Sequence, residues 1–236
     1  RALDATHPLV LDYLKELIKR AVREWGFDYL KLDFLYAGAL AGRRFDLGLT
    51  RAQAFYHALR EIRQAAGDDA FLLGCGCPLG SGIGIFDAMR IGPDVAPSWE
   101  PKYSIFSRFL RRETGIPSAK NSTQQAVARL MLHQRWWTND PDCFLLRDEE
   151  SELNSGQARS LATIVSMTGG VLMNSDHLPE LGEERVEWFA KLLPPLSGDC
   201  QVINEFNPDI TTLGMLQRGP IGTWWLVAIC NWSGDD

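Results

Sequence analysis

Asp28-Tyr-Leu-Lys-Leu-Asp-Phe34 is a short apolar-rich run that ends in polar groups, and its neighbours decide the reading of the fold. Before it, Val10, Leu11, Leu14, Leu17, Ile18, Ala21, Val22 and Trp25 recur at helical spacing, so a helix is predicted from His7 to Trp25. Pro8 suits its first turn and Gly26 its end. After the run, Thr50 is placed to cap a second helix that continues to Ala66 and stops at Gly67. Ala70 to Leu73 then reads as a strand entering the Gly74-Cys-Gly-Cys-Pro78 loop. Asp87 to Ile91 reads as another, followed by the loop Gly92-Pro-Asp-Val-Ala-Pro97.

Helices are predicted at Gln124–Trp136, Ser151–Thr168 and Glu183–Leu193, the last stopped by Pro194-Pro195. Between them lie a strand end at Trp137–Asp140 and a strand at Val171–Met173 that runs into Asn174-Ser-Asp176. Strand and helix thus alternate about five times with short loops, the pattern of a parallel sheet with right-handed crossovers. From Thr211 the texture changes. Thr223-Trp-Trp-Leu-Val-Ala-Ile-Cys-Asn-Trp232 is β-rich with no helix after it, which predicts the start of an antiparallel domain.

Composition narrows the classes of function. The chain has 236 residues, 45% hydrophobic and 23% charged, enough for a sizeable core. A net charge of -6 disfavours nucleic acid, which wants a basic face. Arg108, Arg111 and Arg112 form the densest basic group and read as a solvated face. No apolar run reaches the ~18 residues of a membrane span. The chain begins at Arg1 and reads as cut from a longer protein, so a targeting segment would fall outside it. Cys75, Cys77, Cys143, Cys200 and Cys230 form an odd, scattered set, which points to a reducing, cytoplasmic compartment. His7, His57, His133 and His177 lack ligand spacing, and no second pair completes a site with Cys75-Gly-Cys77, so neither a metal nor another cofactor is expected.

Asp33, Cys75, Asp94, Asp140 and Asp176 all fall at or just after predicted strand ends, the active-site face of a barrel of alternating strands and helices. Asp140 and Asp176 could equally cap the helices that follow. Retaining glycoside hydrolysis needs two carboxyl groups about 5–5.5 Å apart, one ionised nucleophile and one proton donor. Asp33 suits the first role: Lys31, two residues earlier on the same strand face, favours the carboxylate. Asp94, in a Gly-Pro-Asp turn, suits the second, provided that Arg90 addresses substrate rather than pairing with it. Each Asp taken alone also reads as a turn residue.

Three stretches carry a resemblance: Tyr29-Leu-Lys-Leu-Asp-Phe-Leu-Tyr-Ala-Gly-Ala39, Leu73-Gly-Cys-Gly-Cys-Pro-Leu-Gly80 and Met89-Arg-Ile-Gly-Pro-Asp-Val-Ala-Pro97. They look like the bacterial α-galactosidases of glycoside hydrolase family 36. Asn139-Asp-Pro-Asp142 and Gly169-Gly-Val-Leu-Met-Asn-Ser-Asp176 are similar to the later barrel strands of that clan. The resemblance runs from about His7 to Leu196. It implies an α/β fold of the (β/α)8 TIM-barrel type, incomplete, holding about strands 4 to 8. The barrel would occupy residues 1–198 and the start of a C-terminal antiparallel β domain residues 199–236.

The resemblance also implies roles. Asp33 would be the nucleophile and Asp94 the acid/base. Lys31, Cys75 and Arg90 would contact the sugar, and the partner would be a galactoside or oligosaccharide, with a homo-oligomer possible. Cys77 reads as a small buried residue, and Trp99 either as a stacking platform for sugar or as packing. The family's first three strands and its N-terminal β-sandwich have no counterpart here. Competing readings are an α-N-acetylgalactosaminidase or a raffinose-synthase-like transglycosidase of the same clan, a sugar-binding protein without catalysis, and a metal-dependent barrel enzyme acting on a small phosphate. The absence of a ligand cluster and of a Gly-rich phosphate loop counts against the last.

Overall fold

The computed structural model describes residues 3–102, 114–204, 209–220 and 222–233. Arg108, Arg111 and Arg112, read above as a solvated face, lie outside them. Contacts divide the chain into two compact units. The first holds the described residues up to 90 together with 136–138, and the second holds the rest.

In the first unit, helix α1 (Pro8–Lys19) starts with His7 Nδ1 accepting from Leu9 N at 3.2 Å. Its α-helical part is shorter than predicted: one π turn (Arg20–Glu24) follows, marked by Trp25 N donating to Arg20 O. Gly26, at φ +74°, ends it in a conformation that suits glycine. Strand β1 (Tyr29–Leu32) comes next. Helix α2 (Arg51–Ala66) begins in a capping box of Thr50 and Gln53, and buries Ala54, Phe55, Ala58, Leu59, Ile62 and Ala65 along one stripe.

Strand β2 (Phe71–Gly74) pairs in parallel with β1, Lys31 opposite Leu73 and Leu32 opposite Gly74. Strand β3 (Ala88–Arg90) pairs in parallel with β2, Gly74 opposite Met89. Thr138 N, from a further strand, donates to Asp87 O at 2.8 Å. Arg63 of α2 fixes where these strands begin. It donates to Ile85 O (2.7 Å) and Ala70 O (2.8 Å) and pairs with Asp87 at 2.5 Å, while Asp87 also accepts from Leu72 N. One guanidinium therefore ties the helix to the entries of two strands.

The second unit contains helix α3 (Ala119–Ala128), strand β4 (Thr138–Asp140, whose first residue belongs to the first unit), β5 (Cys143–Phe144), α4 (Ser155–Met167), β6 (Met173–Asn174) and α5 (Glu183–Lys191). The prediction of a helix at Gln124–Trp136 was misplaced. Ser118 Oγ accepts from Asn121 N at 3.0 Å and starts the helix earlier, within a polar stretch whose periodicity gave no signal. Asn121, Ser122 and Thr123 are nevertheless buried, Thr123 through a hydroxyl bond to Ala119 O. Helix α4 begins four residues later than predicted, because the cap is Asn154 with Gln157 rather than Ser151.

β5 and β6 pair in parallel, Cys143 opposite Met173. Beneath them Phe144, Leu146, Leu153, Leu161 and Val165 form a buried cluster. An antiparallel sheet follows: β7 (Cys200–Val202), β8 (Ile210–Gly219) and β9 (Gly222–Asn231), in that order. It begins before Thr211, where the sequence reading placed the change of texture. Leu213 and Met215 of β8 pack on Leu130 and Met167. The chain therefore has parallel strands alternating with helices and a C-terminal antiparallel sheet. Among the described residues, no helix is long and apolar enough to cross a membrane.

Candidate active site

The parallel register builds the first half of the site. One step beyond the paired residues Leu32, Gly74 and Met89 stand Asp33, Cys75 and Arg90, on three neighbouring strands. Cys75 N donates to Leu32 O at 2.8 Å, so the ladder holds to the level of Asp33. Cys75 and Arg90 are buried, whereas Asp33 and Lys31 are exposed.

On balance the groups of this row favour the Asp33 carboxylate. The Cys75 thiol donates to the Asp33 carboxylate and lowers its pKa below the ordinary carboxylate value. Burial opposes this, and the Phe34 N–H (2.6 Å from Asp33 Oδ1) and the Lys31 and Arg90 charges reinforce it. Burial pushes the Cys75 thiol up to about 11, with the Asp33 hydrogen bond next in importance. At neutral pH Cys75 is therefore a donor and not a thiolate nucleophile.

The backbone at Asp33 is unusual. Phe34 is left-handed at φ +53°, a conformation that costs a bulky residue about 1–3 kcal/mol. Its partner loop is fixed by Tyr36 N donating to Gly76 O at 2.7 Å. Gly76 is itself at φ +56°, and a Cβ there would sit 3.4 Å from Phe34 Cα. The turn that presents Asp33 is thus matched by a left-handed residue in the loop after β2, a conformation that favours glycine.

Asp94 lies in the second unit, exposed on the 92–97 loop, which is held by side chains between backbone bonds at its two ends. Val95 N donates to Asp142 Oδ2 at 2.7 Å, and Asp142 N donates to the buried Asp140 Oδ1 at 2.8 Å. Ile91 N donates to Asp140 O, while Arg129 donates to Ile91 O and pairs with Gln125. Lys31, Asp33, Cys75 and Arg90 are thus brought together in one unit, and Asp94 stands in the other.

Asp142 and Arg129 are positioning residues that the sequence reading did not assign; the Asp140-Pro-Asp142 triplet was the available signal for the first. Neither Asp140 nor Asp176 caps a following helix. Asp176 instead accepts from Leu146 N (2.6 Å), Asn174 and Arg147. Cys77 is buried, as read. Trp99 stacks on Trp232 with ring centres 6.3 Å apart, so packing accounts for it. All five cysteines are free thiols, and no group of three or more potential metal ligands occurs among the described residues.

No protein-family model matches the chain. Solved structures do. An α-galactosidase from Thermus thermophilus in complex with stachyose is 32% identical, with a TM-score of 0.70 over 82% of this chain and 40% of that one. The same enzyme with p-nitrophenyl α-D-galactopyranoside gives 30% identity and a TM-score of 0.71 over 89% of this chain and 40% of that one. An α-galactosidase from Saccharomyces cerevisiae with raffinose shares the fold at 15% identity, with a TM-score of 0.62 over 90% of this chain and 50% of that one. The chain spans about 40% of the length of the Thermus enzyme, and these similar structures are α-galactosidases, which are glycoside hydrolases.

Proposed function

We propose that this chain carries the catalytic part of a retaining α-galactosidase of the glycoside hydrolase family 36 type. The observation that carries the reading is the strand-end row of Asp33, Cys75 and Arg90 with Lys31 beside it, which keeps one carboxylate ionised and addressed by two cations. The similarity to an enzyme solved with p-nitrophenyl α-D-galactopyranoside supports a galactoside as the substrate of that row. On this reading β1 to β6 fall on about strands 4 to 8 of an eight-stranded barrel, β4 and β5 being two pieces of one strand, and β7 to β9 open a C-terminal β domain.

The reaction is a double displacement. An Asp33 oxygen attacks the anomeric carbon while the bond to the leaving oxygen breaks and that oxygen takes the Asp94 proton. The products are a galactosyl-Asp33 ester and a free alcohol. Asp94, now a carboxylate, accepts a proton from water as the water oxygen attacks the same carbon, releasing galactose with retained configuration and restoring both groups. Lys31 and Arg90 hold sugar hydroxyls, and the Cys75 donor keeps Asp33 deprotonated between turnovers.

The test compares aryl α-galactoside, α-glucoside and α-N-acetylgalactosaminide as substrates for the polypeptide that carries these residues. Preference for the galactoside, lost in Asp33→Asn, is expected. Preference for the N-acetyl substrate would transfer the reading to the α-N-acetylgalactosaminidases, and full activity in Asp33→Asn would remove Asp33 from the chemistry.

A further inference from the structure

His133 has no ligand spacing in the sequence, but in the fold its ring stands where a strand ladder places a carbonyl. It follows the 3-10 turn Leu130–Leu132, which its own N–H closes by donating to Leu130 O at 3.0 Å. On one side of β4, Asp140 O accepts from Ile91 N at 3.0 Å. On the other side, Asn139 O accepts from Val171 N at 2.8 Å, and Asn139 N donates to His133 Nδ1 at 3.2 Å. An imidazole therefore fills a position that a backbone oxygen fills in a regular ladder. With Nδ1 as acceptor the ring is neutral and carries its proton on Nε2. The Nε2 edge lies against Gly169, 3.5 Å from where a Cβ there would stand.

What this bond holds bears on Asp94. Asn139 and Asp140 are adjacent and fully buried. Asp140 Oδ1 accepts from Asp142 N at 2.8 Å, and Asp142 Oδ2 accepts from Val95 N, the residue after Asp94, at 2.7 Å. A carbonyl acceptor at the head of this series would not titrate, whereas an imidazole does. Protonation turns Nδ1 from acceptor to donor and sets it against the Asn139 N–H. Burial holds the ring below the ordinary histidine range, with Asp199 opposing it. Arg135 and the Cys200 thiol, pushed up to about 11 by burial, are the other titratable groups of the cleft of about 220 Å³ that the ring lines. Arg129 directs its guanidinium to Ile91 O and Gln125. The neutral ring thus persists through neutral pH and is lost as pH falls through its depressed value. We propose that neutral His133 is a positioning residue for the Asp94 loop, anchoring Asn139 through Nδ1, and that protonation of the ring releases the anchor and misaims the donor. The proposal rests on Asp94 being the proton donor.

The test begins with the unaltered chain. In amide NMR spectra recorded without substrate, the Asn139 and Val95 signals are expected to shift with the midpoint at which the His133 ring titrates, on the acid side of the ordinary histidine value. Amides that do not follow the ring, or a ring that stays neutral until the chain unfolds, would overturn the proposal. Turnover is then followed against pH on galactosides with poor leaving groups and on activated aryl galactosides. As the ring protonates, kcat on the first class is expected to fall about tenfold and on the second far less. An acid limb common to both classes belongs to Asp33. His133→Asn, whose Oδ1 offers Asn139 N an acceptor that does not titrate, is expected to remove that fall. His133→Ala is expected to lower kcat on poor leaving groups about three- to tenfold at neutral pH. Equal losses on both classes, or a His133→Asn profile like that of the unaltered chain, would overturn the proposal. Failure of the Asp94 reading shows elsewhere, in Asp94→Ala losing equally on both classes, and the amide shifts do not depend on it.

Discussion

The two carboxylates proposed for catalysis are held in different ways. Asp33 is positioned by backbone: three parallel strands in register place it level with Cys75 and Arg90, and a left-handed residue follows it. Asp94 is positioned by a loop: backbone bonds fix its ends, and side chains fix the span between, where Asp142 holds the next residue's N–H, Asp140 holds Asp142, and Arg129 holds Ile91 O. A nucleophile must meet one carbon at bonding distance, and strand register gives that precision. A proton donor must also exchange its proton within each turnover, and an exposed loop allows this. Damage to the first arrangement should therefore change the chemistry itself, whereas damage to the second should change how well the donor is aimed.

The largest expected effect is at the nucleophile. Asp33→Asn should lower turnover on the order of 10⁴-fold with the fold intact by circular dichroism. Asp94→Ala should cost about 10²–10⁴-fold on galactosides with poor leaving groups and far less on activated aryl galactosides, which depart without a proton. Equal losses on both classes would contradict the donor role. Asp142→Ala removes the acceptor for Val95 N and should lower kcat about 10–100-fold by misplacing the loop, with partial recovery in Asp142→Asn, which keeps an acceptor. A loss expressed only in KM would count against a positioning role.

Cys75→Ala tests the strand frame through pH. Asp33 is depressed in the folded protein, so its carboxylate persists through the ordinary carboxylate range and is lost only as pH falls below it. Deleting the thiol donor removes the largest depressing influence and should move the acid limb of kcat/KM to higher pH. An unmoved limb would show that Lys31 and Arg90 alone keep Asp33 ionised. The smallest expected effect is far from the chemistry: Thr50→Ala opens the capping box of α2 and should cost about 1 kcal/mol of stability in denaturant unfolding, with kcat unchanged.

This contrast also separates what could be read from sequence from what could not. The strand at Asp33 and the helix from Thr50 were legible, because apolar periodicity and a capping residue are local signals. The Lys31–Asp33 spacing showed two groups on one face before any contact was known. The helix at Ala119 was not legible, since its buried face carries Asn121, Ser122 and Thr123, whose satisfaction depends on distant backbone. The two-residue strand β5 is too short for periodicity to register, whereas β6 (Met173–Asn174) was legible but read two residues early, at Val171–Met173. Arg63 and Arg129 bond groups remote in sequence, and nothing near them announces it.

The central claim is that Asp33 forms a bond to the sugar, and covalent trapping tests it most directly. A 5-fluoro-α-galactosyl fluoride slows both steps by destabilising the oxocarbenium-like transition state, while its good leaving group lets the ester accumulate. After incubation and proteolysis, the account predicts one fluorogalactosyl group on the peptide that contains Asp33, and none in Asp33→Asn. Inactivation with the label on another carboxylate would contradict it.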